Sequence, residues 1–296
     1  MRVAVVGHVE WVRFLPVDAA PYPGAIVHAE DPWEEAAGGG GVAAAELARL
    51  AGTATLHTVL GADPAGTAAA EQLAGLGVVV RGARYGAQRC ALTLIDPSGE
   101  RTIVVIGTGI GPGLAPGSAL DPADFAGVDA VYFCKGDAAA LRAARAARVL
   151  VATARILPVL QAAGVTLDAL VHSARDAGER YAPGDLVPAP RLVATTEGAE
   201  GGRYTTSEPG APAGRWSPVV PGPTAASGDA YGAGDTFAAA LTFALARQDA
   251  PAAALAFAAG RAAAALGRRG AHGLPSRQGR PDAEVGRAVA PVSPGA

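Results

Sequence analysis

Residues Asp229–Ala240 read DAYGAGDTFAAA, a glycine turn followed by a carboxylate and the start of an apolar, alanine-rich run. Gly232, Ala233 and Gly234 carry little or no side chain, so a ligand can come close to their backbone N–H groups. If the run from Asp235 onward is a helix, those N–H groups lie at its N-terminus, where unpaired donors and the helix dipole favour an anion. The turn is therefore a candidate anion-binding cradle.

The acid at position 235 needs a separate explanation, because a carboxylate would repel a bound phosphate. A carboxylate is useful at this position if Asp235 takes a proton from a hydroxyl group that attacks the anion. A cradle and a general base together are the minimum equipment for phosphoryl transfer to an alcohol. On the spacing alone, an ordinary first-turn aspartate after a glycine turn is also an open interpretation, since short glycine patterns often occur by chance.

Strand and helix signals alternate around this stretch. Arg2–Gly7 is a continuous apolar run, as in a strand covered on both faces, and a glycine-rich entry leads into a helix over roughly Val42–Leu50. The alternation continues through ATLHTVLG, DPAGTAAAEQLAGLG, VVVR, VDAVYF, AAALRAARAA, VLVAT, ARILPVLQAAG, DALVHS, ARDAGERY and RLVATT. Such alternation predicts an α/β fold in which a parallel sheet has helices on both faces.

Two stretches break this rhythm. Residues Trp11–Ala37 show no helical period, although IVHAE (Ile26–Glu30) could form an extended strand. Residues Arg89–Ile106 predict a hairpin around the turn DPSG. We therefore expect a small accessory sheet built from about residues 11–37 and 86–106.

The composition excludes several function classes. Charged residues make up 17% of the chain and the net charge is −3, with no block of like charge that would indicate a nucleic-acid or membrane partner. Half of the residues (50%) are hydrophobic, yet no run is long enough to span a bilayer. Cys90 and Cys134 lack metal-like spacing and are expected as reduced core thiols. These features predict a soluble cytoplasmic protein.

The motif Asp229–Phe237, DAYGAGDTF, resembles the C-terminal signature D-T-x-G-A-G-D-x-F of the ribokinase-like (PfkB) carbohydrate kinases. Further landmarks of that family occur in the same order along nearly the whole chain. They are GGGGVAAAELARLAG (Gly38–Gly52), GADPAG (Gly61–Gly66), the lid hairpin DPSGERT (Asp96–Thr102), the nucleotide turn TTEGAEGG (Thr195–Gly202) and RRGAHGLPS (Arg268–Ser276).

The resemblance implies a three-layer α/β/α sandwich with a small β-sheet lid, formed by one domain over residues 1–275 and followed by a tail over 276–296. It implies a kinase that uses ATP and Mg²⁺ to phosphorylate a hydroxyl of a sugar, sugar acid or nucleoside. The family roles fall on residues of four groups. They are the base Asp235 with the anion hole Gly232, Ala233 and Gly234; the nucleotide contacts Thr196, Gly198, Gly201 and Ala259; the substrate contacts Glu10, Gly39, Gly40 and Arg101; and the metal residues Asp229, for a monovalent cation such as K⁺, and Asp176, for Mg²⁺ through water.

Departures from the family pattern concern the substrate. Glu10 and Val12 stand where many members carry an asparagine and an aspartate that grips sugar hydroxyls, so this clamp is either missing or replaced by Glu10. Val42 or Ala43 stands in place of the asparagine of the N-terminal signature. The Asn-x-x-Glu motif appears as Ser173–Asp176. The alternative function is therefore a catalytically weak ligand-binding or regulatory member of the same fold.

Three further expectations accompany the resemblance. His8 follows the first strand, where either a structural histidine or a ligand contact is expected. Arg101 on the lid is either a solvated turn residue or a contact for a substrate carboxylate or phosphate. The exposed lid sheet suggests pairing with a second copy, that is, a homodimer through the lid.

Overall fold

A computed structural model describes residues 1–207, 213–219 and 228–273. The predicted tail over residues 276–296, and the end of the RRGAHGLPS motif, lie outside the described residues. The strands are β1 (Val3–Val6), β2 (Glu10–Pro16), β3 (Trp33–Ala37), β4 (Ala54–His57), β5 (Val78–Arg81), β6 (Cys90–Ile95), β7 (Arg101–Ile106), β8 (Ala130–Phe133), β9 (Val149–Thr153), β10 (Ala169–Ser173), β11 (Leu192–Thr196), β12 (Gly202–Thr206) and β13 (Gly214–Trp216). The α-helices are α1 (Gly38–Ala51), α2 (Pro64–Gly75), α3 (Ala138–Ala144), α4 (Leu157–Ala163), α5 (Ala233–Ala246) and α6 (Pro251–Leu266).

The large sheet has nine strands in the order β13-β12-β11-β10-β9-β8-β1-β4-β5. All pairs from β11 to β5 are parallel, whereas β12 and β13 are added antiparallel at one edge. After β1, the chain places β4 and β5 on one side of β1. It then places β8 and the following strands on the other side. The switch point therefore lies between β1 and β8, and in open α/β sheets ligands bind outside the carboxyl ends of the strands at that point.

Apolar side chains on both faces of the sheet hold the layers together. Val3 and Val5 of β1 belong to the core under α1, α2, α5 and α6, whereas Ala4 and Val6 belong to the core under α3 and α4. Every residue of β1, β8 and β9 is buried, which explains their continuous apolar sequences. The predicted three-layer α/β/α sandwich is confirmed.

The predicted accessory sheet is also present. It has four strands in the order β3-β2-β6-β7, and β6 and β7 form the hairpin around DPSG. Its own small core joins Val12 and Phe14 of β2 to Val42 of α1 and to Tyr231, which lies just before the glycine turn. The lid and the start of α5 are thus packed against each other.

Three local predictions were wrong. Helix α1 begins at Gly38 rather than near Val42. Its first four residues are glycines, and at Gly40 the missing Cβ lets the helix lie close to the end of β1. IVHAE is not a strand; the extended segments are β2 and β3. ARDAGERY contains only the short 3₁₀ turn Ala177–Glu179, in which Asp176 accepts a hydrogen bond from Gly178 N at 2.8 Å. Among the described helices, none combines the length and apolarity needed to cross a bilayer.

Candidate active site

Helix α5 begins within the glycine turn of the DAYGAGDTF motif. Gly232 has φ +73° and directly precedes α5, which carries Asp235 in its first turn. This left-handed conformation favours glycine, and a Cβ at position 232 would lie 2.9 Å from Val42 Cγ1. No atom lies within 4 Å of the Cβ position of Gly234. The turn is therefore closed on its Val42 side and open at Gly234, where an anion has access to the helix N-terminus.

The Asp235 carboxylate is partly buried at the carboxyl edge of the sheet. Tyr132 Oη, on β8, donates a hydrogen bond to Asp235 Oδ1 at 3.3 Å. Burial raises the pKa of Asp235 to about 6, and the charge of Glu179 adds to the rise while Arg155 opposes it. A carboxylate whose pKa lies near neutrality is well suited to accept a proton.

The glycine-rich start of α1 lies against this carboxylate. A Cβ at Gly39 would lie 2.9 Å from Asp235 Oδ1. Gly40 N donates to His8 O at 3.0 Å, so the end of β1 and the start of α1 are fixed to each other. Of the predicted substrate residues, Gly39 therefore lies beside the predicted base and leaves space next to it, whereas Gly40 lies against His8 and Gly7.

Asp229 is almost fully buried and holds two backbone segments together. Its Oδ1 accepts from Tyr231 N at 2.9 Å, and its Oδ2 accepts from Gly270 N at 2.7 Å. Burial raises the pKa of Asp229, while these hydrogen bonds and the charges of Arg101 and Arg269 oppose the rise. Asp229, the residue expected to hold a monovalent cation, thus contacts the loop around Gly270.

A second buried carboxylate, Glu35 of β3, holds the same loop. Its Oε2 accepts from Ala271 N at 2.6 Å and from His272 N at 3.1 Å, and its Oε1 accepts from Trp33 Nε1 at 3.2 Å. Burial raises the pKa of Glu35 to about 7, with a smaller contribution in the same direction from Asp229. Sequence reasoning missed Glu35, because nothing local distinguishes it from the partly exposed Glu34 beside it.

Glu10 begins β2 and is also buried, but it faces a cation. Arg89 Nε lies 2.7 Å from Glu10 Oε1, and His8 Nε2 lies 3.8 Å from the same oxygen. Burial raises the pKa of Glu10, and Arg89 opposes the rise. Glu10, which stands at the asparagine position of the family's sugar clamp, is therefore engaged by Arg89.

The lid hairpin contacts the segment that leads to the glycine turn. Arg101 Nη1 donates to Ala230 O at 2.8 Å, and Ala230 N donates to Gly99 O at 3.3 Å. Arg101 is thus a contact between lid and active-site backbone in this structure, with its guanidinium at the mouth of the site.

An ion-pair cluster lies on the far side of Asp235. Arg155 Nη2 contacts Asp176 Oδ2 at 2.7 Å and Glu179 Oε1 at 2.6 Å, and Glu179 Oε2 accepts from Ser173 N at 2.9 Å. The hydrogen bond from Arg155 is the main cause of the lowered pKa of Asp176. The charge of Glu179 contributes to the raised pKa of Asp235.

The predicted nucleotide residues lie farther along the sheet edge. Thr196 ends β11, and Gly198 and Gly201 adopt φ +66° and +80° in the turn that follows. A Cβ at Gly201 would overlap Trp216 O, so this turn requires glycine. Ala259 lies on α6 and packs against the core. β11 is separated from β8 by β9 and β10, so this turn lies apart from the Asp235 centre.

Cavity volume does not single out the site. A cavity of about 580 Å³ lies at the edge strand β5, near Val79 and Arg84, and contains none of the predicted residues. Another of about 310 Å³ lies beside Ser173 and Tyr181. The assignment therefore rests on the convergence of the glycine turn, Asp235 and the switch point.

Comparison with known families agrees with this geometry. A family model described as "pfkB family carbohydrate kinase" matches residues 1–184 and 184–277. The chain belongs to the pfkB family of carbohydrate kinases. A search of curated proteins gave no match for this pfkB-family chain.

Solved structures share the fold of this pfkB-family chain. A candidate ribokinase from Agrobacterium tumefaciens has a TM-score of 0.77 at 22% identity, over 94% of this chain and 95% of that one. The adenosine kinase of Sinorhizobium meliloti gives 0.73 at 19%, over 93% and 96%. Arabidopsis thaliana ribokinase, complexed with ribose and ATP, gives 0.69 at 20%, over 94% and 96%. At these identities the likeness is one of fold.

Tyr132, Arg155 and Glu179 are further members of the site that the sequence argument did not select. Tyr132 lies inside the apolar strand sequence VDAVYF, where a tyrosine reads as core. Arg155 and Glu179 follow the ends of β9 and β10. Polar residues just after parallel strands lie at the ligand edge of the sheet, and this signal could have identified both.

Proposed function

We propose that this pfkB-family chain transfers a phosphoryl group from ATP to a hydroxyl of a sugar or sugar-like molecule, namely a sugar, a sugar acid or a nucleoside. The observation that carries the proposal is the Asp235 carboxylate, with a pKa near neutrality, between the Gly232–Gly234 turn and Gly39. The neighbours in fold include ribokinases and an adenosine kinase, so both sugar and nucleoside acceptors remain in the proposal.

In the proposed reaction, Asp235 accepts the proton of the acceptor hydroxyl as the hydroxyl oxygen bonds to the γ-phosphorus and the bond to the ADP oxygen breaks. Backbone N–H groups of Gly232, Ala233 and Gly234 stabilise the negative charge on the transferred group. The lid contacts at Gly99 and Arg101 restrict access of water from that side.

The proposed nucleotide contacts are Thr196, Gly198, Gly201 and Ala259, and the ATP complex of the Arabidopsis ribokinase supports ATP as the donor. Mg²⁺ neutralises phosphate charge and needs only one or two protein carboxylates, because it keeps several waters. Asp176 and Glu179 fit that requirement, although the described residues contain no group of three or more His, Cys, Asp or Glu that could hold a metal.

Asp229 stays the proposed ligand of a monovalent cation such as K⁺, together with the loop at Gly270 and Ala271. Two buried carboxylates, Asp229 and Glu35, hold this loop, and a cation beside Asp229 would offset part of the cost of burying their charge. The described residues therefore fit a cation at this place.

The second candidate function is a ligand-binding or regulatory protein with weak catalysis. It is favoured by Val12, Val42 and Ser173, which replace polar residues of the family pattern. The intact base weighs against it, because binding alone does not require Asp235 beside an anion cradle.

Two expectations complete the proposal. A homodimer through the lid is supported by β7, an edge strand in which Ile103, Val104, Val105 and Ile106 are each at least 40% exposed. The cytoplasmic location predicted from the sequence stays a prediction.

The test is ADP release over a panel of sugars, sugar acids, polyols and nucleosides. Asp235→Asn is expected to lower kcat by about 10²–10⁴-fold for the best acceptor, because the proton loses its acceptor, while KM for ATP changes little. Asp249→Asn, just beyond the C-terminal end of α5, is the matched control and should retain activity. Equal turnover of every acceptor by the wild type and Asp235→Asn would contradict the proposal.

A further inference from the structure

A cationic corner lies at the switch point of the sheet, just after the ends of β1 and β8. Cys134 N and Lys135 N, just after β8, donate to Val6 O of β1 at 2.9 and 3.3 Å, so Lys135 lies next to the end of β1. The Cβ position of Gly109 would overlap Arg89 Nη1 and lies 3.7 Å from Lys135 Nζ. Two cationic side chains from separate segments therefore meet at one point.

This corner adjoins the Asp235 centre. A Cβ at Gly7 would lie 2.6 Å from Cys134 Sγ and 2.7 Å from Gly40 Cα, and Gly39 is the residue against Asp235. Burial raises the pKa of the Cys134 thiol, and the charge of Asp235 adds to that rise. Cys134, the residue before Lys135, is thus linked through Gly7 and Gly40 to Gly39, which lies against the proposed base.

The charges of the corner are not balanced. Glu10 pairs with Arg89 at 2.7 Å. Lys135, the only lysine of the sequence, forms neither an ion pair nor a side-chain hydrogen bond with any residue in the described part of the chain. Its neighbour Asp137 is engaged at the start of α3, where it accepts from Ala140 N at 2.7 Å. Lys135 is a residue of intermediate burial, and an anionic ligand would stabilise its unpaired ammonium group.

His8 lies close enough to Arg89 and Lys135 for both charges to act on it, and its properties also favour an anionic ligand at this corner. Burial, followed by the charges of Arg89, Lys135 and Arg155, lowers the pKa of His8 to about 4, so the ring is neutral near pH 7. Its buried Nδ1 has no hydrogen-bond partner among the described residues. The neutral His8 ring can therefore offer a hydrogen bond to a ligand near Lys135 without adding a second uncompensated positive charge.

We propose that Arg89 and Lys135 form a subsite for a negatively charged group, a carboxylate or a phosphate monoester, carried by the acceptor. The inference rests on the proposed function and narrows its acceptor to anionic polyols. The position separates this subsite from the nucleotide, because the glycine turn after β11 lies beyond β9 and β10. A neutral acceptor would leave Lys135 unpaired and would therefore be used less well.

Matched acceptors test the subsite: ribose, ribonate and ribose 5-phosphate, and glucose, gluconate and glucose 6-phosphate. We expect kcat/KM for an anionic member to exceed that of its neutral parent by about tenfold or more. Preference for ribonate and gluconate would identify a carboxylate, and preference for the phosphates a phosphate monoester. Equal or better use of the neutral parents would overturn the inference and leave the kinase proposal standing.

Variants of Lys135 test whether this residue causes the preference for anionic acceptors. Lys135→Met keeps the aliphatic volume and is expected to raise KM for the anionic acceptor about tenfold or more, with kcat, the KM for ATP and the use of neutral acceptors little changed. Lys135→Arg should restore part of the preference. Arg13→Met removes an exposed lid arginine paired with Glu34 and is the matched control. An unchanged anion preference in Lys135→Met would overturn the assignment.

A binding measurement keeps the two proposals separable. If no acceptor gives Asp235-dependent ADP release, the kinase proposal fails, and calorimetric titration of the wild type with ribonate, gluconate and both sugar phosphates still tests the subsite. Saturable binding that weakens at least tenfold in Lys135→Met, but not in Arg13→Met, supports it. Absence of binding to the wild type overturns it.

Discussion

Asp235 owes its raised pKa to enclosure and to an unequal balance of charge around it. Glu179 raises the pKa, and Arg155 lowers it. Arg155 is shared between Asp176 and Glu179, so it compensates Asp235 only in part. The proposed base is therefore protonated over a pH range in which an exposed aspartate would be ionised.

The pH dependence of activity follows from this environment. A base must be ionised, so kcat/KM is expected to fall about tenfold per pH unit below about pH 6. Glu179→Gln removes a negative charge and frees Arg155, and both changes should lower the pH at which activity is lost. Glu71→Gln, on the exposed face of α2, is the control for this pH–rate profile. An inflection that stays in place in Glu179→Gln would contradict the assignment.

Gly39 is the second residue with a specific geometric requirement. Gly39→Ala would place a Cβ 2.9 Å from Asp235 Oδ1 and displace the carboxylate, so we expect kcat/KM to fall by roughly 10²-fold while the protein stays folded. Gly75→Ala, in α2, has no atom within 4 Å and should keep full activity. Steady-state kinetics with thermal melts of both variants decide the point, and full activity of Gly39→Ala would refute it.

At the scale of elements, two carboxylates hold the loop after α6. Asp229 binds the N–H of Gly270, and Glu35 of β3 binds those of Ala271 and His272. Asp229 also binds Tyr231 N, so lid, loop and glycine turn form one connected unit. The Tyr231 ring completes it by packing edge-on against Phe14 of the lid, with centroids 5.0 Å apart.

Glu35 should make stability depend on pH. Its folded-state pKa of about 7 lies above the ordinary 4.5, so folding takes up a proton. The stability that this uptake contributes is fully present below pH 4.5 and is lost as the pH rises through about 7. Urea unfolding at a series of pH values from about 4 to 8 should show this loss in the wild type, mainly between pH 4.5 and 7, and much less of it in Glu35→Gln.

Two further variants control that measurement. Glu34→Gln, one residue earlier and paired with exposed Arg13, should behave like the wild type. Glu35→Ala should cost about 1–3 kcal/mol at every pH, because buried N–H groups lose their acceptor. The same slope with pH in Glu35→Gln as in the wild type would contradict the role of Glu35.

At the scale of the whole molecule, the exposed edge strand β7 of the lid bears on the oligomeric state. All six residues of β7 are exposed, and four consecutive ones are β-branched and apolar. A long apolar edge strand offers unpaired N–H and C=O groups to another chain. Pairing of two lids would extend both sheets and cover these side chains.

Light scattering across a concentration series should therefore show a dimer for the wild type. Val104→Lys is expected to shift the protein to monomer, because a charge would be buried in the pairing edge. Val79→Lys, an equally exposed valine on the edge strand β5, should leave the dimer intact. A wild type that stays monomeric at high concentration would exclude pairing through the lid.

Much of the fold is readable from local sequence. The buried strands β1, β8 and β9 are continuous apolar runs, and the turn sequence DPSG predicts the hairpin of β6 and β7. Short or irregular segments were predicted wrongly, because IVHAE has strand propensity but no partner strand, and the segment after Ser173 is held by Asp176 and Glu179 rather than by a helical repeat.

By itself the sequence determined the α/β class, the lid, and the glycine turn with its acid, since all of these depend on residues close together in the chain. Only the tertiary structure decided which distant groups meet: Tyr132 with Asp235, Arg89 with Glu10, and Glu35 with the loop at Ala271. The pKa of Asp235, and the position of Lys135 beside β1, depend on burial and on charges from other strands. Burial and charge balance are properties of the packed molecule, and no local pattern records them.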